Sequence, residues 1–528
     1  MSITFSQVVL LLLSYLTYRL ILITWRHQQF KSFARRNGCE EPYNMSAGYG
    51  PWPFSALDGI ARLRRIMKMK HTGVDILDDV FAELFEPAKT TKSTGFEGSV
   101  SVATIEPANL QAMLATQFKD FEVGQRRINQ FYPLLGKSIF SSDGAFWDHS
   151  RAMFRPQFNR EQINDLEDTE RASNALIEAI GPIDANGWSK ATEILPLLYN
   201  FTLDTATAFL FGESVNSQSI AIKESAGLTT ASTDFASQKQ FMSDFEIASK
   251  VMIDRIRLQT LYRLADGLEF RKAIARIRSF TDTFVQKALD PLARKRQANK
   301  KYNLLSALVE QTQDHTELQN QTLAILVAGR DTTSGLLGWC FARLAIHDKI
   351  FAKLRSIIIK DFQNDTDVTF SKLKGCRYLH HFLNEVLRLH PLVPVNNRVA
   401  AKNTTLPLGG GPDGKAPVAI PAGQTIVFSV YLMHRRKDLW GEDALEFRPE
   451  RWEERIPAWQ FLPFSGGPRI CLGQQFALIE ASYVLVRILQ HFDAIEPVDR
   501  AEMLRLRKAV GLTMWPADQV RVRLHKAS

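Results

Sequence analysis

The sequence contains little cysteine, since only Cys39, Cys340, Cys376 and Cys471 occur in 528 residues. These thiols are widely spaced and give no CxxC pair, which argues against a disulfide framework and against a zinc site. So few cysteines in a chain of this length suit a reducing compartment. Any cysteine chemistry must therefore come from a single thiol.

The sequence also lacks any run of five or more lysine or arginine residues, although its formal net charge is +9. No stripe of aromatic residues alternates with basic ones, so we expect no nucleic-acid partner. A net positive charge also suits binding to an anionic membrane surface or to an acidic protein partner. These two kinds of partner fit the chain better.

Neither an internal repeat nor an interior linker divides the chain, so we predict one large domain over residues 56–528. Helical periodicity dominates, and the predicted helices are residues 168–180, 202–211, 270–288, 317–347, 373–389 and 472–491. Strand-like runs are short and occur late, at residues 418–420, 425–430 and 520–524. The predicted fold class is therefore mainly α with small β-sheets.

The segment 409–415 reads GGGPDGK and nearly matches the phosphate-binding pattern GxxxxGK[ST]. Ala416 stands where the hydroxyl that binds magnesium should be. Pro417 and Pro421 follow, so no helix can begin there and offer its N-terminus to a phosphate. We predict a surface turn between two strands.

The N-terminal residues 3–25 are mostly apolar, and the stretch reaches the ~20 residues that a bilayer requires. Arg19 interrupts it, and the basic residues Arg26, Lys31, Arg35 and Arg36 follow it. No basic residue precedes it, which favours a retained anchor over a cleaved signal peptide; a buried core helix is the other alternative. We predict a single-pass transmembrane helix over residues 1–25, a linker over residues 26–55 and a cytosolic domain.

The strongest local pattern is FSGGPRICLG, from Phe464 to Gly473. Its two glycines and one proline predict a tight turn that brings the backbone close to a large flat group. Cys471 precedes the predicted helix 472–491, and a helix N-terminus lowers the pKa of a thiol. Arg469 can face the same side and meet an acidic group. A free cysteine is more often an ordinary buried residue, but the fixed spacing of the ten residues argues against that interpretation.

This segment resembles the haem-binding signature of the cytochrome P-450 family, F-x-x-G-x-R-x-C-x-G, and all five defined positions match. The resemblance implies the cytochrome P-450 fold and haem b (iron protoporphyrin IX) as cofactor. It also implies Cys471 as the proximal ligand of the iron, with Phe464 and Arg469 among the cofactor-binding residues.

A second pattern, E-x-x-R, places Glu385 and Arg388 on one face of a helix that is apolar nearly all round. A buried charged pair must find partners or be costly. In the family the third partner is an arginine in a later loop, and the resemblance implies Arg451 for that structural role.

A third pattern, AGRDTT at residues 328–333, lies inside the predicted helix 317–347. A glycine in a helix interior costs ~1 kcal/mol relative to alanine, which is tolerable where a group must pack against bare backbone. Asp331 and Thr332 supply an acid and an alcohol that can relay protons; the alternative is a kink with an exposed aspartate. The pattern resembles the family's oxygen-activation motif, which implies that both residues are catalytic.

A fourth pattern, W-x-x-x-R, places Trp147 and Arg151 on one helical face. In the family both side chains reach a haem propionate, and Arg398 is similar to another arginine that does so. Together with Arg469, the resemblance thus implies that three cations, Arg151, Arg398 and Arg469, face the two propionate carboxylates of the haem.

Together these motifs imply a membrane-anchored haem-thiolate monooxygenase of the endoplasmic reticulum, facing the cytosol. It would insert one oxygen atom from O2 into a lipophilic substrate, with electrons from NADPH through NADPH–cytochrome P-450 reductase. A haem protein that isomerises or binds ligands without using O2 is the alternative. Relatives of that kind often lose the acid–alcohol pair, which is intact here.

The segments 150–158, 201–212, 328–333 and 464–477 are most similar to the fungal alkane and fatty-acid hydroxylases of the family. They favour terminal hydroxylation of a long aliphatic chain, while a fungal secondary metabolite stays open as substrate. The residues predicted to line the substrate pocket are all apolar, which fits both classes, and each could equally be a core residue: Phe121, Phe131, Phe140, Leu326 and Leu512.

Overall fold

The computed structural model describes residues 5–50, 53–72, 75–95, 97–225, 227, 233–291, 302–363 and 368–527. Residues 1–4 of the predicted anchor and residues 51–52 of the predicted linker lie outside these ranges.

Helices dominate the described part of the chain, as predicted. In chain order they are α1 (Phe5–Arg36), α2 (Ala56–Thr72), α3 (Pro107–Gln111), α4 (Gln125–Leu135), α5 (Gly144–Phe154), α6 (Arg160–Ile163), α7 (Glu167–Ile180), α8 (Ile194–Phe211), α9 (Ser217–Ser225), α10 (Thr233–Arg257), α11 (Leu268–Leu289), α12 (Leu304–Val309), α13 (His315–Ile346), α14 (Asp348–Asp361), α15 (Phe370–Gly375), α16 (Arg377–Leu389), α17 (Val430–Met433), α18 (Lys437–Trp440), α19 (Gln474–His491) and α20 (Arg500–Leu504).

The strands are short: β1 (Tyr43–Asn44), β2 (Thr90–Thr94), β3 (Val100–Thr104), β4 (Phe121–Glu122), β5 (Thr192–Glu193), β6 (Val395–Ala400), β7 (Thr404–Gly410), β8 (Ala416–Ile420), β9 (Thr425–Ser429), β10 (Phe492–Pro497), β11 (Lys508–Val510), β12 (Met514–Pro516) and β13 (Arg521–Lys526). The largest sheet has the order β1-β2-β3-β9-β6-β4, and a second sheet has the order β10-β13-β5. Two hairpins, β7-β8 and β11-β12, complete the set. Residues 411–415 join β7 to β8, which confirms a turn between two strands, although Gly409 and Gly410 are the last residues of β7.

The long helix α13 runs through the core and packs against α8, α11 and α19. It begins at a capped end, where Asp314 accepts a hydrogen bond from the Glu317 N–H at 2.9 Å. Most of its side chains are buried, because neighbouring helices cover it on several sides. The two largest apolar clusters meet along α13, so this helix and its neighbours form the frame on which the site is built.

Several predicted boundaries differ from the structure. The predicted helix 373–389 is two helices, because α15 ends at Gly375 and α16 begins at Arg377. The helix after Cys471 begins at Gln474 rather than at residue 472. Strands β2 and β3 were not predicted, since Thr90–Thr94 and Val100–Thr104 lie early in the chain and are rich in small polar residues.

The N-terminal helix α1 extends to Arg36, beyond the predicted end of the anchor, and Leu10 to Leu13 on it are each more than half exposed. After it, β1 pairs in parallel with β2, so part of the predicted linker joins the largest sheet. Among the described residues, only α8 is long and apolar enough in length and composition to cross a membrane, and 72% of that helix is buried inside the protein.

Candidate functional site

The cysteine-containing segment forms a tight loop ahead of α19. Cys471 donates its backbone N–H to the carbonyl oxygen of Phe464 at 3.0 Å, and Ile470 donates to that of Gly467 at 3.0 Å. The loop therefore closes on the same Phe464 that was predicted to bind the cofactor. Phe464 itself is half-buried and packs against the largest apolar cluster.

Gly467 is the position in this loop where a side chain does not fit. Its φ is +66°, and an added Cβ would lie 1.6 Å from the carbonyl oxygen of Leu114. The close neighbour of this glycine is thus the main chain of Leu114. The requirement for glycine at position 467 therefore comes from packing against the main chain of Leu114.

A cleft of about 710 Å³ opens beside Cys471, within the range of about 300–1,000 Å³ that is common for ligand and cofactor sites. Its lining is contributed by the turn that precedes β4, by α5, by the loop that follows α5 and by the cysteine loop: Phe118, Trp147, Asp148, Arg151, Ala152, Arg155, Phe158, Pro468, Ile470, Cys471 and Leu472. The structure therefore brings Trp147, Arg151 and Cys471 together, as the resemblance implied.

The Cys471 side chain is exposed to this cleft, but the surrounding protein excludes much of the bulk water from the thiol. Burial raises the pKa of Cys471, whereas the Gly473 N–H and the charge of Arg151 lower it. The prediction of a net lowering is wrong for the thiol by itself, because desolvation outweighs the other two effects. A coordinated metal ion would reverse the balance, since a coordinating thiol loses its proton outright.

Trp147 stands between two arginines. The Arg469 guanidinium lies 4.2 Å from the centre of its ring, and that of Arg151 lies at 5.8 Å. Arg151 also donates to the carbonyl oxygen of Ile470 at 3.0 Å, so it ties α5 to the cysteine loop. The W-x-x-x-R spacing thus places both side chains on one face, as predicted.

Arg398, on β6, belongs to a buried group of cations that also contains Arg469 and Arg127 from α4. Burial, together with the charges of Arg127 and Arg469, lowers the pKa of Arg398 to about 9. Burial is also the main reason why the pKa of Arg469 falls to about 10. One acid partly balances them, since Arg469 donates to Asp143 at 2.6 Å.

The Nε atoms of Arg127, Arg398 and Arg469 are buried and have no hydrogen-bond partner among the described residues. Unpaired cationic donors in one buried region fit a ligand with two carboxylates, because such groups form strong charge-assisted hydrogen bonds. The residues present therefore fit the propionates of a haem. Sequence reasoning missed Arg127 and Asp143, and no motif marks either residue.

Asp331 and Thr332 lie on α13 and are not among the residues that line the cleft beside Cys471. Thr332 donates its hydroxyl to the Ala328 carbonyl at 2.7 Å, while Asp331 accepts from Arg330 at 2.8 Å. A Cβ at Gly329 would meet only Ala206, at an ordinary 3.8 Å. Packing within the protein therefore does not demand glycine at this position.

The predicted partners of the E-x-x-R pair are confirmed in the core. Arg388 donates to both carboxylate oxygens of Glu385, at 2.9 and 2.8 Å, and neither side chain is exposed. Arg451 approaches the same carboxylate at 3.4 Å, as the resemblance implied, and Trp452 donates to it at 3.1 Å. The arrangement holds α16 to the loop that precedes the cysteine segment.

Comparison with known proteins agrees with this geometry. The family model described as Cytochrome P450 matches residues 63–518. The chain is 42% identical to cytochrome P450 monooxygenase g430 of a Fusarium species, over 94% of this chain and 87% of that protein. It is 44% identical to cytochrome P450 52A10 of Candida maltosa, over 81% and 83%. It is 40% identical to cytochrome P450 monooxygenase alt2 of Alternaria solani, over 86% and 87%. The chain therefore belongs to the cytochrome P450 family and is a monooxygenase with haem b as its cofactor.

Proposed function

We propose that this monooxygenase hydroxylates the end of a long aliphatic chain, such as a fatty acid or an alkane. The observation that carries the proposal is the similarity of its helix and loop segments to the fungal alkane and fatty-acid hydroxylases. The 44% identity to cytochrome P450 52A10 supports the same branch. Electrons would come from NADPH through NADPH–cytochrome P-450 reductase.

Within this proposal, Cys471 is the proximal ligand of the haem iron, and Phe464 closes the loop that carries it. Arg398 and Arg469 hold the propionates together with Trp147 and Arg151. The haem, when bound, supplies the iron at which O2 is reduced and one oxygen atom is passed to the substrate. Asp331 and Thr332 deliver protons from the α13 side.

We also propose that residues 1–25 anchor the protein in the endoplasmic reticulum membrane, with residues 56–528 as one catalytic domain in the cytosol. The exposed apolar side chains of α1 support an anchor, and Arg35 and Arg36 in its last turn support this orientation. Resistance of the full chain to alkaline extraction from microsomes tests this assignment. Its release into the supernatant would contradict it.

The reaction is tested with the full chain, its reductase, NADPH and dodecanoic acid under labelled dioxygen. A terminal alcohol that carries one labelled oxygen atom supports the proposal. Consumption of dodecanoic acid without label in the product would favour the alternative class, which rearranges substrates without O2. No product from protein with an intact carbon monoxide difference spectrum would favour a secondary metabolite as substrate.

The ligand assignment has its own test. Cys471→Ser should abolish the thiolate-type band in the carbon monoxide difference spectrum, because a hydroxyl does not donate to iron as a thiolate does. Cys39→Ser is the matched control, since Cys39 lies next to α1 and outside the cleft, and it should leave the band unchanged. A normal band in Cys471→Ser would overturn the assignment.

A further inference from the structure

Arg330 lies between two aromatic rings that belong to different helices. Its guanidinium carbon is 4.8 Å from the centre of the Tyr199 ring on α8 and 5.1 Å from that of Phe245 on α10. A cation is attracted to the faces of such rings, and the attraction grows when water is excluded. The side chain of Arg330 is therefore fixed in place although it is long and flexible by nature.

The same guanidinium pairs with the residue that follows it in the chain. Arg330 donates to Asp331 at 2.8 Å, and the two side chains are only 13% and 14% exposed. Adjacent residues on a helix do not normally face each other. The contact exists because the two rings hold Arg330 beside the Asp331 carboxylate.

The charges around Asp331 come from three helices. Burial raises the pKa of Asp331, and Arg330 opposes this effect. Tyr199, from α8, has its pKa raised by burial and by Asp331. Glu246, from α10, also acts on Tyr199, and it is itself paired with Lys250 at 2.8 Å. Arg330 is thus the cation that partly offsets the effect of burial, although the pKa of Asp331 stays raised.

We propose that Arg330 is a positioning residue for proton delivery, which favours the carboxylate form of Asp331 and fixes its direction beside Thr332. This inference rests on the proposed function, in which Asp331 and Thr332 carry protons. The hydroxyls of Thr332 and Ser334 donate to backbone carbonyls of α13. The ion pair with Arg330 is therefore a contact that sets the state of the acid rather than that of the alcohol.

The state of this acid decides where the electrons of NADPH go. Two NADPH, two protons and one O2 give two water molecules when no substrate is oxidised and proton delivery is complete. One NADPH, one proton and one O2 give hydrogen peroxide when delivery fails before the O–O bond breaks. With substrate, one NADPH, one proton and one O2 give one hydroxylated product and one water molecule. The share of O2 that appears as peroxide therefore measures proton delivery with or without an organic substrate.

The test compares the haem-loaded full chain with Arg330→Met, Arg330→Lys and Tyr199→Leu, each with reductase and NADPH from pH 6.5 to 8.5. Arg171→Met is the matched control, because Arg171 forms a local ion pair with Glu167 and Asp168 on the exposed side of α7. Carbon monoxide difference spectra and melting temperatures first show that each variant is loaded and folded. Peroxide, O2 consumption and dodecanoic acid products are then measured together.

Arg330→Met should raise the peroxide share and lower productive turnover about tenfold at pH 7, a part of the 10²–10⁴-fold that positioned acids and bases contribute. Without the cation Asp331 holds its proton to higher pH, so the acidic limb of the turnover profile should move upward and the deficit should narrow towards pH 8.5. Arg330→Lys keeps the charge and should stay closer to the wild type. Tyr199→Leu should give a smaller shift in the same direction.

An equal deficit at every pH with an unchanged peroxide share would overturn the inference, since a purely structural defect has no such signature. Wild-type behaviour of Arg330→Met would do the same. If Arg330→Met does not load haem, Tyr199→Leu decides, and the absence of any shift in it counts against the proposal. If dodecanoic acid is not the substrate, the wild-type protein forms no hydroxylated product. The Arg330→Met substitution should still raise the share of O2 that appears as peroxide, so the two failures can be distinguished.

Discussion

Arg388 and Glu385 form a two-pronged ion pair in which neither side chain is exposed. Arg388 has further acceptors in the carbonyl oxygens of His434, at 2.9 Å, and Ala444, at 2.6 Å. Each lost partner would leave a buried charge unpaired. The pair thus connects α16 with two later segments of the chain, at His434 and at Ala444.

Removal of one partner from this pair should be severe. We expect Arg388→Ala to lower the free energy of unfolding by about 3–5 kcal/mol, because the Glu385 carboxylate would stay buried without its main partner. Lys353→Ala is the control, since Lys353 and Glu450 form a partly exposed pair for which about 0–1 kcal/mol is expected. Melting temperature and the yield of haem-loaded protein measure both. Equal losses in the two variants would contradict the structural role of the buried pair.

The Gly467 position gives a second prediction. Gly467→Ala must either move the cysteine loop or displace the main chain at Leu114, because its Cβ would lie 1.6 Å from a carbonyl oxygen at a φ of +66°. We expect loss of most of the thiolate-type band in the carbon monoxide spectrum and a lower melting temperature. Gly375→Ala is the control, since nothing lies within 4 Å of its added Cβ. An intact band in Gly467→Ala would show that the loop can shift without cost.

The sequence and the structure agree most closely where one local segment carries the whole pattern. The cysteine loop and the pair Glu385–Arg388 were predictable, because each lies within a single loop or helix. The separation of the residues in sequence then determines their separation in the structure. Arg451 required the family resemblance, since 63 residues separate it from Arg388. Its contact with Glu385 depends on tertiary packing that periodicity does not report.

Arg127 and Asp143 show the limit of sequence reasoning. Arg127 reaches Arg398 and Arg469 only because α4, β6 and the cysteine loop converge, and Asp143 joins them from the residue ahead of α5. Among the residues predicted to line the substrate pocket, Leu326 is fully buried in the apolar core. Strands β2 and β3 escaped detection because seven of their ten side chains are polar. Hydrophobic periodicity carries little signal in such segments.

A third prediction concerns a buried acid on α19. Glu480 is 3% exposed, and burial raises its pKa to about 7 although Thr205 and Thr333 oppose the shift. The unfolded chain releases this proton at its ordinary pKa of about 4.3, whereas the folded chain keeps it. Stability should therefore fall by roughly 4 kcal/mol as the pH rises from about 4.3 to about 7, and stay level above that.

The measurement compares melting temperatures of wild type and Glu480→Gln from pH 4.5 to 8. The amide does not titrate, so the melting temperature of the variant should rise relative to that of the wild type as the pH increases. The difference between the two melting temperatures should stop growing near pH 7. Glu178→Gln, at an exposed position of α7, is the control and should run parallel to the wild type. A constant gap in Glu480→Gln would mean that Glu480 titrates alike in both states.

The last prediction separates cofactor binding from folding at Arg398. This arginine is 4% exposed, its Nε has no hydrogen-bond partner among the described residues, and the charges of Arg127 and Arg469 oppose its own. The cation is therefore destabilising in the protein by itself and favourable once carboxylates face it.

Arg398→Met should raise the melting temperature of haem-depleted protein. It should also speed haem transfer to excess apomyoglobin about tenfold or more, since a charge-assisted hydrogen bond contributes about 1.5–3 kcal/mol. Arg171→Met should change neither quantity. A higher melting temperature of the haem-depleted protein together with faster haem loss would identify Arg398 as a cofactor-binding residue that destabilises the empty fold. A lower melting temperature together with faster haem loss would instead make Arg398 a structural residue.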